Sequence, residues 1–139
     1  MSKFFEWLRW LAGREQERDF FSSIRRLPLP PIAFAKIETV EKPLPNSDMR
    51  EGIFYFVSLR GKSKWVLFHC PCGCKTIITL SLQDVHNPRW ILRKGRAGRP
   101  TLEPSVWRDV GCMSHFVLFD GRVYWAGDTG RAPPAQRIR

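Results

Sequence analysis

His69-Cys-Pro-Cys-Gly-Cys-Lys75 ("HCPCGCK") sets three of the chain's four cysteines on every second residue. On either side lie "KWVLFH" (64–69) and "KTIITL" (75–80), β-branched and apolar runs that read as strands. Pro71 and Gly73 force a tight turn between them. A disulfide within so short a stretch closes a very small, strained ring. Metal is the better use for crowded sulfur, because a Pro- and Gly-containing turn presents thiols and backbone amides on one side, as in a zinc knuckle. Zinc takes about four ligands and one turn rarely supplies them all. The fourth cysteine, Cys112 in "GCMSHF", is the remote partner, three residues before His115.

Five candidate ligands therefore compete for about four places. Cys70, Cys72, Cys74 and Cys112 are the favoured set, since soft thiolates make a closed structural tetrahedron. A Cys3His set that recruits His115 is the alternative. Buried reduced cysteines with no metal are the bland reading.

Working outward from the knuckle, "GIFYFVSL" (52–59), "RWILRK" (89–94), "HFVLF" (115–119) and "RVYWA" (122–126) are further strand candidates. "RGKS" after Leu59 is a hairpin turn, and Asp120-Gly121 is a two-residue hairpin signal between the last two strands. The expected fold is mainly β (β-rich α+β): a small antiparallel sheet domain with a zinc knuckle and an N-terminal helix. Phe4, Phe5, Trp7, Leu8, Trp10 and Leu11 suit a short helix over 2–12, ended near Gly13. The expected organisation is an N-terminal helical appendage over 1–31, a zinc-stabilised β domain over 32–130 and a loose basic tail over 131–139.

The chain has 139 residues, 43% of them hydrophobic, with six Trp and ten Phe. One packed domain is expected and global disorder is not. No apolar run is long enough to span a bilayer. The first residues are broken by Glu6 and Arg9 and do not form a signal peptide. A cytoplasmic protein is expected, and in a reducing compartment clustered cysteines bind metal or do chemistry. The net charge of +10 would attract nucleic acid, anionic lipid or an acidic protein partner; charge spread for solubility is the plainer reading.

Between the two cysteine stretches, Ser105 follows Pro104 and Ser114 precedes His115. A serine beside a histidine can become a nucleophile when the imidazole takes its proton. The third group, which orients the ring, is open among Asp109, Asp120 and Asp84; both serines also suit a loop or a cap. His69 ends a strand and suits support of the knuckle, and His86 suits a loop. Arg89 and Arg108, each beside a tryptophan, can grip a carboxylate bidentately or simply stack on the indole.

"HCPCGCK", "HNPRW", "GRPTLEPSVWRDVGCMSHF" and "DGRVYW" together resemble a family of small bacterial proteins, similar to the peptidase of bacterial ubiquitination-like (Bub) operons. The resemblance runs from about Trp65 to Trp125, with one departure: Lys75 stands where relatives carry a second glycine. It implies hydrolysis of an ester or amide at the C-terminus of a ubiquitin-like protein, in company with E1-like and E2-like enzymes. The implied roles are Ser105 as nucleophile, His115 as base, Arg89 or Arg108 as anion contacts, and the cysteines as zinc ligands joining two loops. A zinc-bound hydroxide as attacking group, with Ser105 only orienting substrate, remains open at this point. The competing class is a non-enzymatic zinc-stabilised module that binds protein or nucleic acid, whose affinity for nucleic acid would fall steeply with salt.

Overall fold

The computed structural model describes residues 28–133. Nine strands form three small sheets: β1 (Lys36–Val40), β2 (Ile53–Leu59), β3 (Lys62–His69), β4 (Ile77–Ser81), β5 (Ile91–Lys94), β6 (Pro100–Glu103), β7 (Val106–Trp107), β8 (His115–Phe119) and β9 (Arg122–Trp125). The first sheet has the order β1-β2-β3-β4, the second pairs β5 with β6, and the third runs β7-β8-β9. Every pairing is antiparallel except β1 with β2, which is parallel. No α-helix occurs among the described residues, and none of their helices is long and apolar enough to cross a membrane. The helix expected over 2–12 falls outside the described residues, as do most of the N-terminal appendage and of the C-terminal tail.

Strand alternation decides what each run buries. Side chains of β3 point to opposite faces in turn, so Val66 and Phe68, with Cys70 just beyond the strand, face the main core while Leu67 faces a second cluster. In the main core Phe54 stacks on Phe68 at 4.9 Å between ring centroids, and Phe34 meets both rings edge-on. From the third sheet, Phe116 and Leu118 close the same core, fully buried. The second cluster packs Met49, Tyr55, Val57 and Leu67 against the other face of the first sheet. Two buried faces explain why β2 and β3 read as nearly continuous apolar runs rather than as clean alternations.

Both expected hairpins form through residues with positive φ, Arg60-Gly61 (53° and 76°) and Asp120-Gly121 (51° and 72°). This is the backbone that matches the right-handed twist of paired strands. Gly121 does more than turn the chain. Its N–H donates to the Pro100 carbonyl at 2.8 Å, and its carbonyl accepts from Ala33 and Phe34 at 2.8 and 2.9 Å. A Cβ here would lie 2.3 Å from the Phe34 carbonyl oxygen. Gly121→Ala is therefore expected to destabilise the fold by about 2–3 kcal/mol, from left-handed strain and from the displaced Phe34 segment together. Equilibrium denaturant unfolding measures this, and a loss under about 0.5 kcal/mol would mean that the segment yields freely.

Candidate active site and metal centre

Cys70 directly follows β3, and the turn it opens brings the chain back so that the Cys70 N–H donates to the Thr76 carbonyl at 2.8 Å. Gly73 and Lys75 both have positive φ, 90° and 64°. Lys75 thus accepts the left-handed backbone that glycine takes without cost, and the turn closes despite the departure noted in its sequence. Cys112 arrives from the loop between β7 and β8. The four sulfurs of Cys70, Cys72, Cys74 and Cys112 all lie within 4.8 Å of one another. Cys70 Sγ is 3.4 Å from Cys72 Sγ and 3.7 Å from Cys112 Sγ. Those gaps are far beyond a disulfide bond of about 2.05 Å, and all four cysteines are free. They are close to the separation of sulfurs about 2.3 Å from a shared tetrahedral ion.

The sulfurs also have the surroundings of a ligand set. Arg108 Nη1 donates to Cys112 Sγ at 3.4 Å and reaches Cys74 Sγ at 3.9 Å. The buried Ser114 hydroxyl lies 3.0 Å from Cys112 Sγ and 3.7 Å from Cys70 Sγ. Burial pushes the Cys70 thiol up to about 12. At Cys112 burial acts in the same direction but is outweighed by hydrogen bonds from Ser114 and Arg108, which bring the thiol down to about 6. Cys74 is lowered by its hydrogen bonds with Thr76. Donors aimed at sulfur and two acidified thiols, Cys112 and Cys74, suit metal-bound thiolates. The residues present fit an ion held by four sulfurs, and four sulfurs leave a tetrahedral ion no place for water.

Adjacent residues on a strand face opposite ways. Ser114, just before β8, touches the sulfurs; within β8 Phe116 enters the main core, so His115 turns to the other face of the third sheet. There His115 Nε2 lies 3.2 Å from Ser105 Oγ, and His115 Nδ1 lies 2.6 Å from Asp128 Oδ1. Hydroxyl, imidazole and carboxylate stand in line. Both ring nitrogens of His115 are engaged in that line, and the ligand atoms that cluster are those of the four cysteines without His115.

Each member is held from more than one side. β7 is a two-residue strand whose Trp107 pairs with His115 across the sheet. The indole and imidazole rings stack at 4.1 Å and 1°. The indole N–H of Trp107 donates to the Arg131 carbonyl at 3.0 Å, the His115 N–H donates to Thr129 Oγ1 at 3.0 Å, and the Gly130 N–H donates to the Met113 carbonyl at 2.9 Å. These bonds pin the loop after β9 that carries Asp128. Trp107→Leu is expected to lower kcat on a small ester by about 10²-fold by loosening the ring and loop, with Trp107→Phe recovering much of it through the retained stack. Steady-state kinetics of the two variants decides between this and a purely structural tryptophan, for which both would behave alike.

The three aspartates proposed from sequence do not orient the ring. Asp120 accepts two bonds from Arg99, at 3.1 and 2.8 Å, and those bonds hold its carboxyl below the ordinary range. Asp84 and Asp109 are exposed. Ser114, the other serine beside a histidine, belongs to the sulfur cluster. Arg108 is turned to the sulfurs too, whereas Arg89 is exposed at the rim of a groove next to Trp90. His86 closes its own loop, with Nδ1 2.5 Å from Ser81 Oγ and its ring against Trp65.

Residues 40–126 match the family described as bacterial ubiquitination-like system serine protease (BubE). The chain belongs to the BubE family. The matched region contains Ser105, His115 and all four cysteines, and ends two residues before Asp128. No curated protein and no solved structure matches the chain. Membership in BubE makes this a hydrolase of the serine-protease kind at family level, placed by the family's description in a ubiquitination-like system.

Proposed function

We propose that the protein is a deconjugase that hydrolyses the ester or amide bond joining the C-terminus of a ubiquitin-like protein to its target, with Ser105, His115 and Asp128 as its catalytic residues. The observation that carries this is the Ser105–His115–Asp128 chain of hydrogen bonds in a member of a serine-protease family. Ser105 Oγ attacks the C-terminal carbonyl carbon while His115 Nε2 takes the hydroxyl proton. The carbon–oxygen or carbon–nitrogen bond to the target then breaks, and the imidazolium returns the proton to the leaving group. Water attacks the resulting acyl-serine by the same route in reverse, which frees the ubiquitin-like protein and restores Ser105. Asp128 holds Nδ1–H and stabilises the imidazolium without itself taking the proton.

Zinc is the proposed ion for Cys70, Cys72, Cys74 and Cys112; when bound it supplies a structural crosslink between the knuckle and the β7–β8 loop. Arg108 and Ser114 carry that support into the site, for each touches sulfur and each is the chain neighbour of a site residue, Trp107 or His115. Arg89 is the proposed contact for substrate carboxylate. The partners in this reading are the ubiquitin-like protein and the E1-like and E2-like enzymes that conjugate it.

Mass spectrometry of a ubiquitin-like conjugate incubated with the protein tests the reading. It predicts release of the intact ubiquitin-like protein with a free C-terminal carboxylate. Cuts scattered within either partner would point instead to a general protease.

A further inference from the structure

Between the first sheet and β5 runs a groove of about 550 Å3, lined on one side by Ile37 and Thr39 of β1 and Phe56 of β2, and on the other by Trp90, Ile91 and Leu92. We propose that this groove receives the acyl-side segment of the substrate, an extended peptide carrying apolar side chains and carboxylates, and leads its terminal carbonyl to Ser105. The proposal rests on Ser105 being the nucleophile.

Four observations converge on it. The volume lies within the range of about 300–1,000 Å3 typical of ligand sites. Both walls end in edge strands, since β1 closes one side of the four-stranded sheet and β5 belongs to a two-stranded one. Edge strands offer backbone groups along which an extended chain can bond, with alternate side chains entering apolar pockets. Arg89 and Lys94 flank the apolar floor, both exposed, and neither forms an ion pair with a described residue. No acidic residue lines the groove, so its field selects carboxylates over ammonium groups. Finally, the groove reaches the chemistry through Trp90, whose indole N–H donates to the Ser105 carbonyl at 3.3 Å while its backbone N–H donates to the Ser81 carbonyl at 2.8 Å. The wall of the groove is thus one hydrogen bond from the main chain of the nucleophile.

The test titrates the whole protein with two acetylated hexapeptide acids, one alternating Leu and Asp, the other alternating Leu and Lys, and follows backbone amide shifts by NMR. The Leu-Asp peptide is expected to shift the amides of Ile37, Thr39 and Trp90 to Lys94, and to bind at least tenfold more weakly to an R89E/K94E variant. The Leu-Lys peptide is expected to leave wild type unshifted and to gain affinity for that variant. Equal binding of both peptides, or shifts confined to another face, would overturn the groove. Binding requires no nucleophile, so this failure is distinct from failure of the Ser105 assignment, which would appear as a Ser105→Ala variant that still hydrolyses ester.

Discussion

Ser105→Ala is expected to lower kcat by about 10⁴- to 10⁶-fold while the unfolding midpoint and metal content stay at their wild-type values. Ser105 is partly exposed just before β7, outside the buried clusters, so loss of its hydroxyl removes the proposed attacking group and little packing. His115→Ala should cost about as much, and the double variant scarcely more, because a nucleophile and its base act as a unit and their losses do not add. Asp128→Asn is the more discriminating change. It keeps the loop and the shape but turns an acceptor into an amide that favours the wrong imidazole tautomer, at a cost of about 10⁴-fold in kcat. Steady-state kinetics alongside thermal unfolding checks all four variants. Near wild-type turnover in Asp128→Asn would remove the aspartate from the site, and near wild-type turnover in Ser105→Ala would remove the serine.

The second large effect concerns the sulfurs. Stripping the ion is expected to lower stability by about 4 kcal/mol, the linkage contribution of a ligand present at a thousand times its Kd. The reason is topological. Cys70, Cys72 and Cys74 lie in the turn between β3 and β4 of the first sheet while Cys112 precedes β8 of the third, so an ion shared among them would fasten those two sheets to each other. Activity should fall together with stability, since Arg108 and Ser114 would lose the charged partner that orders β7 and the start of β8. Thiolate is the binding form, so the ion is held less tightly as pH falls. Metal analysis by plasma emission, paired with thermal unfolding before and after chelation, tests this. A chelated protein that contains no metal yet melts at the wild-type temperature would refute it.

The parts of this architecture that sequence reveals are those written in local chemistry. β2, β3, β8 and β9 are apolar or aromatic runs between turn residues, and they form within a residue or two of expectation. The sulfur set was legible because cysteine spacing leaves few alternatives. β1 and β6 were not legible. "KIETV" is half polar and gains its place only by lying parallel beside β2, while "PTLE" opens with a proline, tolerated at the first position of a strand.

Asp128 escaped for a different reason. It stands 13 residues after His115 in a turn-rich stretch with no motif of its own. Its signal lay in the register of the last hairpin. Counting outward from Asp120-Gly121, Phe119 pairs with Arg122 and Phe116 with Trp125, so the next step sets Ala126 opposite His115. Whatever follows Ala126 must then fold beside that imidazole, and the first carboxylate it brings is Asp128. Asp109 stands nearer to His115 along the chain than Asp128 does and Asp84 farther, but both are exposed and neither is brought to the ring.

A single labelling experiment reaches the centre of this account. The protein is treated with a fluorophosphonate, a reagent that phosphonylates a serine only when a neighbouring base activates it, and is then digested and sequenced by mass spectrometry. One adduct on Ser105 is predicted in wild type, strongly reduced in Asp128→Asn and absent in His115→Ala. A protein that hydrolyses its conjugate while its adduct sits on another residue, or while Ser105 stays unlabelled, would contradict it.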